Sequence, residues 1–254
     1  MKILFTICGR AGSKGIKNKN ISDFLGKSLP LYTLSTIDLY LQRHPEVACD
    51  IVLNTDSPEL VQIFADSALR DVISIPRKEE LAGDKVGKVE VIRDCLAEMT
   101  ARGNAYDMVV DLDITSPLRK EQDLANLIDE MAKGNPEGIP YDVVFTVAPS
   151  RRNPYFNMVM KNEDGFYDKV IASDFTARQQ APEIFDMNAS IYAYAPAFLE
   201  KGLTIFEGKC GVTMMTDTGI LDLDHKGDME IMEVIAGYLF DNYSEFAEVR
   251  DNIK

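Results

Sequence analysis

The strongest chemical signal in the chain follows its first apolar run. Residues 3–7 are apolar apart from one threonine and predict a buried strand. The next segment, residues 8–20, contains three glycines, one arginine and three lysines. Glycines let backbone N–H groups approach phosphate oxygens, and cationic side chains neutralise the phosphate charge. In a chain whose formal net charge is −14, this local excess of positive charge predicts a triphosphate-binding loop.

This loop does not match the common phosphate-binding motifs. It contains neither Gly-x-x-x-x-Gly-Lys-Ser/Thr nor Gly-x-Gly-x-x-Gly, which argues against a Walker A loop and a dinucleotide-binding turn. Residues 11–15, Ala-Gly-Ser-Lys-Gly, nearly match the nucleophile elbow of α/β-hydrolases. A serine hydrolase that uses Ser13, Asp222 and His225 is therefore one alternative. A turn that only reverses the chain is another.

Two Asp-Leu-Asp triplets, residues 111–113 and 222–224, are the second chemical signal. Side chains at i and i+2 of a strand point to the same face, so each triplet presents two carboxylates side by side. Paired carboxylates repel each other unless a cation lies between them or they stay solvated. Mg²⁺ suits such a pair because it binds one or two carboxylates together with water and substrate phosphates. The alternative is that these aspartates cap the following helices or face water.

Composition and charge narrow the class of protein. A hydrophobic content of 46% and a charged content of 27% over 254 residues are ordinary for a globular protein of one domain. The four cysteines form no Cys-x-x-Cys pair and are expected to be reduced. The sequence shows no signal peptide and no apolar run of the roughly 20 residues that a membrane span needs, so we expect a cytoplasmic protein. A pI near 4.6 disfavours nucleic-acid binding.

Strand-like and helix-like segments alternate over the first two thirds of the chain, and strand character returns later. The predicted strands are residues 3–7, 50–56, 72–75, 106–113, 141–148, 189–194 and 212–223. The predicted helices are residues 28–42, 58–69, 89–99, 120–133 and 228–240. This alternation predicts an α/β fold with a doubly wound, mainly parallel, Rossmann-like sheet. Ligands of such sheets bind at the carboxyl ends of the strands.

The alternation stops at Pro149. Residues 150–187 are polar and aromatic, with Pro154 and Pro182 and a weak alternation near residue 155. We expect a small strand-rich insertion within a single domain that spans residues 1–254. The insertion is too apolar for a disordered linker, so we expect it to pack against another surface, such as a second subunit.

Four motifs together resemble one enzyme family. They are the loop of residues 9–15 with Lys19-Asn20, the segment Arg77-x-x-Glu-Leu-Ala, the segment Asp-Leu-Asp-Ile-Thr-Ser-Pro-Leu-Arg of residues 111–119, and the terminal triplet of residues 222–224. In this order and spacing they resemble the cytidylyltransferases that activate nine-carbon α-keto sugar acids, the CMP-nonulosonic acid (sialic acid-type) family. The stretches 152–157 and 186–192 look more like the CMP-legionaminic acid branch.

The resemblance implies an activity and its partners. The enzyme would transfer CMP from CTP to a nonulosonic acid, with legionaminic acid favoured and N-acetylneuraminic acid next, and would release pyrophosphate. It implies Mg²⁺ as cofactor and a homodimer in which residues 150–187 reach the partner and the sugar site. The general base stays open between metal-bound hydroxide and an aspartate.

The resemblance also implies residue roles. The nucleotide-binding residues would be Gly9, Arg10, Ser13, Lys19, Asn20 and Arg77. The catalytic residues would be Arg10, Lys19, Asp222 and Asp224, of which Asp222 and Asp224 would ligate Mg²⁺. The sugar-binding residues would be Asp113, Arg178, Gln179, Asn188 and Tyr192. Asp113 stands where many sialic-acid-activating members carry glutamine, and it would face either metal or sugar hydroxyls.

Two further alternatives remain at this point. A glycosyltransferase that uses a nucleotide sugar would also pair a metal with Asp-x-Asp, but it would consume a nucleotide sugar rather than CTP. A noncatalytic nucleotide-sugar-binding protein could keep the phosphate loop without any turnover.

Overall fold

The chain folds around a mixed sheet that is flanked by helices. The computed structural model describes residues 1–12, 16, 18–83, 86–218, 223 and 225–254. The strands are β1 (Lys2–Cys8), β2 (Asp23–Phe24), β3 (Lys27–Ser28), β4 (Ala48–Thr55), β5 (Ile73–Pro76), β6 (Met108–Leu112), β7 (Val143–Pro149), β8 (Val159–Lys161), β9 (Tyr167–Lys169), β10 (Phe185–Tyr194) and β11 (Cys210–Met214). The helices are α1 (Leu29–Arg43), α2 (Pro58–Ala65), α3 (Lys88–Ala101), α4 (Glu121–Lys133), α5 (Pro196–Glu200), α6 (Lys226–Asn242) and α7 (Ser244–Asp251).

The central sheet has seven strands in the order β11-β7-β10-β6-β1-β4-β5. Strand β1 pairs in parallel with β4 and β6, β4 with β5, and β7 with β11. Strand β10 alone among these runs antiparallel to both of its neighbours, β6 and β7. The predicted α/β class and the mainly parallel sheet are therefore confirmed.

Both faces of the sheet are buried, which explains why its strands are nearly continuous apolar runs. Val110 and Leu112 of β6 point into the core beneath α1 and α4, and Val109 points into the core beneath α3. Because successive side chains on a strand alternate between faces, Asp111 lies on the α3 face. The carboxyl ends of β1, β4 and β6 meet at one edge of the sheet, and Asp111 and Asp113 reach Lys88 at the start of α3 there.

The structure changes several predicted boundaries. The helix predicted for residues 58–69 ends at Ala65, and the strand predicted for residues 212–223 ends at Met214. Beyond that strand, Met215 is buried and Thr218 N donates to Thr216 O at 2.7 Å, so the chain turns instead of extending. Helix α7 was not predicted; its apolar residues Phe246 and Val249 are buried against the core.

The insertion of residues 150–187 contains a small hairpin. Its strands β8 and β9 pair antiparallel over three residues each, and a short 3₁₀ turn spans Arg178–Gln180. Apart from the first residues of β10, the rest of the insertion is irregular, so its strand content is smaller than the sequence pattern suggested. Among the helices described, none combines the length and apolar character needed to cross a membrane.

Candidate active site

A cavity of about 280 Å³ opens at the carboxyl edge of the sheet, where the fold predicts a ligand. It is lined by Cys8, Arg10, Lys19, Asn20, Arg77, Leu81, Gly83, Val86, Lys88, Val91, Asp113 and Thr115. The cavity therefore brings together four side chains predicted to bind nucleotide, namely Arg10, Lys19, Asn20 and Arg77. It adds Asp113, which was assigned to the sugar, and Lys88, which was not predicted.

The loop after β1 is fixed by close backbone packing at Gly9. Its N–H donates to the carbonyl of Asn54 at 3.1 Å, which ties the loop to the end of β4. A Cβ atom at Gly9 would lie 2.6 Å from Leu60 Cδ2 and 2.8 Å from Ile114 Cδ1. Glycine is required here because any side chain would push these two residues or the loop itself away. Asn20 closes the loop by donating from Nδ2 to the carbonyl of Arg10 at 3.0 Å.

The end of β4 also holds Arg77 in place. Arg77 Nε donates to Asn54 Oδ1 at 2.9 Å, and Nη2 donates to the Asn54 carbonyl at 3.1 Å. The backbone N–H of Arg77 adds a bond to the carbonyl of Thr55 at 2.9 Å. Two bonds to Asn54 fix the guanidinium at the cavity wall, and the third ties the Arg77 backbone to the same strand. A planar cation fixed in this way can meet an anionic or hydrogen-bonding ligand with little loss of side-chain freedom.

The carboxylates of Asp111 and Asp113 share a lysine. Lys88 Nζ lies 2.7 Å from Asp111 Oδ2 and 2.7 Å from Asp113 Oδ2. Asp111 is fully buried and accepts a hydrogen bond from Thr6 Oγ1 at 2.8 Å. Asp113 Oδ1 accepts from the N–H of Thr115 at 2.8 Å and from its hydroxyl at 2.7 Å. The sequence favoured Mg²⁺ beside these aspartates, whereas in the structure the cation between them is the Lys88 side chain.

Charge and burial oppose each other in this cluster. Burial alone would raise the pKa of Asp113, but Lys88 and the two donors of Thr115 hold it well below its usual range. Burial alone would lower the pKa of Lys88, but the charges of Asp111 and Asp113 raise it well above its usual value. Asp113 and Lys88 are therefore both ionised at neutral pH.

Arg119, the last residue of the motif at positions 111–119, is fully buried. Its Nε donates to the carbonyl of Ser116 at 2.8 Å, and its other nitrogens donate to the carbonyls of Asp113 and Ser190. Burial lowers the pKa of Arg119 to about 10, so it remains charged at neutral pH. Arg119 therefore joins β10 to the loop after β6 and does not face the cavity.

Two of the predicted sugar-binding residues lie on opposite faces of the sheet. Tyr192 pairs with Asp111 across β10 and β6, and its ring packs 6.2 Å from that of Phe145. Asn188 Oδ1 instead accepts from Thr146 Oγ1 at 2.6 Å. Phe145 and Thr146 are adjacent on β7 and point to opposite faces. Tyr192 thus shares the α3 face with Asp113, and Asn188 does not.

The remaining predicted sugar residues lie in the insertion. Arg178 and Gln179 are exposed on a short 3₁₀ turn, and Arg178 Nη2 donates to the carbonyl of Ser150 at 2.9 Å. Ser13, Asp222 and Asp224 lie outside the described residues. Within the part of the chain that the structure describes, no three His, Cys, Asp or Glu side chains are grouped to hold a metal ion. His225 begins α6, where its N–H donates to Asp228 Oδ2 at 2.6 Å.

A family model described as cytidylyltransferase matches residues 4–201 of the chain. This span includes the loop after β1, the cavity and the Lys88 cluster. The chain belongs to the cytidylyltransferase family. The resemblance drawn from the four motifs is thereby confirmed at the level of the family, and so is the expectation of an enzyme.

Relatives and solved structures extend this finding. The cytidylyltransferase is 33% identical to "Post-translational flagellin modification protein B" of Campylobacter coli, over 92% of this chain and 94% of the relative. It is 32% identical to "CMP-N,N'-diacetyllegionaminic acid synthase" of Campylobacter jejuni, over 92% of this chain and 94% of the relative. A structure of CMP:2-keto-3-deoxy-manno-octonic acid synthetase complexed with CTP superposes with a TM-score of 0.65 at 13% identity, covering 94% of this chain and 99% of that one. The last comparison confirms the fold.

Sequence reasoning missed two residues that build the site of the cytidylyltransferase. Asn54 fell within the predicted strand of residues 50–56, and in the structure it holds both Gly9 and Arg77 in place. Lys88 is the first residue of α3, where the positive end of the helix dipole repels a cation. A lysine at that position, in a chain with an unexplained Asp-x-Asp pair, was the signal that could have revealed the cluster.

Proposed function

We propose that the protein transfers CMP from CTP to a nonulosonic acid of the legionaminic acid type, giving a CMP-sugar and pyrophosphate. The observation that carries this proposal is the cation-lined cavity at the sheet edge of a cytidylyltransferase fold. The choice of acceptor is supported by the 32% identical relative whose name gives CMP-N,N′-diacetyllegionaminic acid as its product. In the proposed reaction, the anomeric hydroxyl of the sugar attacks the α-phosphorus of CTP in line.

The cations of the cavity suit a nucleoside triphosphate. Arg10 and Lys19 line it from the loop after β1, and Arg77 lines it from the loop after β5. Nucleotidyl transfer depends mainly on positioning and on stabilising the charge of the phosphates, which fixed cations provide. We assign Arg10, Ser13 and Lys19 to the triphosphate, and Asn20 and Arg77 to the cytidine.

Asp113 suits a hydroxyl group of the substrate better than a negative charge. Its carboxylate lines the cavity and stays ionised, so it accepts hydrogen bonds and repels the sugar carboxylate. A general base works best when its pKa lies near the working pH, and the pKa of Asp113 lies far below it. We therefore assign Asp113 to binding a hydroxyl rather than to removing its proton. Tyr192 lies on the same face and would flank the sugar.

The sugar carboxylate and the metal are assigned to other residues. Arg178 and Gln179 are exposed and would contact the carboxylate of the sugar, because guanidinium groups match carboxylates in geometry. The carboxylates of Asp222 and Asp224 are a donor set that Mg²⁺ accepts, and Leu223 between them is buried in the core. Bound there, Mg²⁺ would neutralise charge on the leaving pyrophosphate.

Pyrophosphate release tests the proposal. The protein is incubated with Mg²⁺ and CTP, or with UTP, in the presence of N,N′-diacetyllegionaminate, N-acetylneuraminate, Kdo or no acceptor. We expect release with CTP and N,N′-diacetyllegionaminate, weaker release with N-acetylneuraminate, and none without acceptor. Lys19→Met should lower kcat/KM by about 100-fold, since it removes a cation that stabilises the transition state. Lys133→Met changes an exposed lysine outside the cavity and serves as the control.

Two results would contradict the assignment. Faster release with N-acetylneuraminate than with the legionaminate would move the acceptor to the sialic acid type. Absence of release with every sugar, in a preparation that binds CTP, would reject the nonulosonic acid class.

A further inference from the structure

Lys88 holds together two carboxylates that would otherwise repel each other. Asp111 and Asp113 lie two residues apart on and just beyond β6, so both carboxylates are on the α3 face. Asp111 is fully buried, and about a quarter (24%) of the Asp113 side chain is exposed at the cavity. Lys88 reaches Oδ2 of each at 2.7 Å. Removing one partner of such a buried group leaves an uncompensated charge, which proteins tolerate poorly.

The position of Lys88 is unfavourable for the helix that carries it. It is the first residue of α3, and the N-terminus of a helix repels a cation. Leucine, cysteine and methionine residues farther along α3 pack into the core and fix the helix over the end of β6. Helix α3 therefore places the Lys88 ammonium group beside the two carboxylates. Their negative charge offsets the repulsion between the ammonium group and the N-terminus of the helix.

We propose that Lys88 is a positioning residue, whose ammonium group fixes the Asp113 carboxylate as an ionised hydrogen-bond acceptor at the wall of the nucleotide cavity. This inference rests on the proposed function, in which Asp113 binds a substrate hydroxyl. Lys88 acts through Asp113. It provides, inside the protein, the counter-charge that the partly buried Asp113 carboxylate needs.

The surroundings of the cluster leave this task to Lys88. Arg119 donates to the main-chain carbonyl of Asp113, so it fixes the backbone and not the carboxylate. Thr115 donates two neutral hydrogen bonds to Oδ1, which orient the carboxylate without neutralising it. Among the described residues, the other titratable or charged groups that face the cluster or share its cavity include Cys8, Cys95, Tyr192, Tyr194, Arg10, Lys19 and Arg77.

A set of substitutions separates this role from general stabilisation. Lys88→Met removes the charge at similar length, and Lys88→Arg keeps it. Lys88→Met combined with Asp111→Asn preserves the net charge of the cluster, so this variant is expected to fold even if Lys88→Met alone does not. Lys78→Met is the matched control, because Lys78 also bridges two carboxylates, of Asp94 and Glu98, at 2.5 and 3.2 Å, but lies outside the cavity.

The first readout is the ionisation of Asp113, which needs no substrate. In protein labelled with ¹³C at the aspartate carboxyl carbons, the signal missing from Asp113→Asn identifies this residue. We expect its pKa to rise by about one unit or more in both variants that carry Lys88→Met, and to stay low in Lys88→Arg and Lys78→Met. An unchanged Asp113 titration in the charge-preserving variant would overturn the inference, whatever sugar the enzyme uses.

The second readout is activity with the best acceptor of the sugar panel. With Lys88→Met we expect kcat/KM to fall on the order of tenfold at pH 7. The loss should deepen only towards the pH at which Asp113 titrates in the variant, as given by the first readout, because its ionised fraction decreases there. In the Asp113→Asn background, Lys88→Met should cause little further loss. Additive losses would show that Lys88 acts independently of Asp113 and would reject the inference while leaving the proposed function intact.

Discussion

At the scale of single residues, one buried guanidinium holds the loop after β6 against β10. Arg119 is fully buried, and its guanidinium donates to the main-chain carbonyls of Asp113, Ser116 and Ser190. These carbonyls belong to two segments that are more than 70 residues apart along the chain. A buried carbonyl that loses its donor incurs a desolvation cost, so the loss of this one side chain affects both segments.

Arg119→Met should therefore lower the free energy of unfolding by about 3 kcal/mol, since it leaves the Ser116 carbonyl without its donor and removes a charged donor from the carbonyls of Asp113 and Ser190. Arg119→Lys should give an intermediate value, because an ammonium cannot reproduce the forked geometry of the guanidinium. Urea denaturation at pH 7 measures both. Arg151→Met is the control: Arg151 is 76% exposed and pairs with Asp217, so a change within about 1 kcal/mol is expected. An equal loss of stability in Arg119→Met and in the control Arg151→Met would contradict the structural role of Arg119.

At the scale of elements, β10 decides which side chains share the cavity. The pairing of β10 with β7 shifts between Met187 and Tyr192, and Ala189 has a positive φ of 51° within this bulge. Residues 188 and 192 are separated by four positions and would share a face in a regular strand. The bulge places Asn188 beside Thr146 and Tyr192 beside Phe145 instead. One irregular residue thus separates two side chains that the sequence grouped together.

The stabilities of Ala189 variants should follow the preference of each residue for a left-handed backbone conformation and not its preference for a β-strand. Ala189→Gly is expected to leave stability unchanged or raise it by up to about 1 kcal/mol, because glycine adopts positive φ without strain. Ala189→Val should lower stability by about 2 kcal/mol, since β-branched residues tolerate positive φ poorly. Urea denaturation of the three proteins gives the order. A valine variant more stable than the glycine variant would indicate regular strand geometry at this position.

At the scale of the whole molecule, the insertion presents an apolar surface to solvent. Val159, Phe166 and Tyr167, on and beside the β8–β9 hairpin, are 61%, 72% and 67% exposed. A two-stranded hairpin has little stability of its own, and contiguous exposed apolar side chains mark interaction sites. We propose that this hairpin packs against a second copy of the chain, as the family resemblance predicts.

Sedimentation velocity tests this assembly. The protein should sediment as a dimer at micromolar concentration, and Val159→Lys combined with Tyr167→Lys should shift it to the monomer, since buried charges oppose association. Phe206→Lys is the control, because Phe206 is 73% exposed but lies outside the insertion. If the wild-type chain were monomeric at all concentrations, or if the lysine variant stayed dimeric, the hairpin would not be the interface.

The sequence by itself determined the fold class and the family, and it predicted a nucleotide-binding loop. Apolar runs alternating with helical segments predict a parallel sheet through local periodicity, and the predicted ends of most strands and helices lie within a few residues of the observed ones. The cationic, glycine-rich loop consists of neighbouring residues, so its role could be predicted without the fold. The same holds for the i, i+2 arrangement of Asp111 and Asp113, which predicted either a cation between them or contact with water.

Only the tertiary structure decided which groups meet at the site. Lys88 lies 25 residues from Asp113 in the sequence and reaches it because α3 packs over the end of β6. Arg119 reads as a surface cation in its motif, but it turns inward to the carbonyl of Ser190, 71 residues away. Such contacts follow from the packing of helices on a sheet and from a bulge in one strand. Local sequence patterns do not encode them, because the partners are brought together only when distant segments bury their apolar faces against each other.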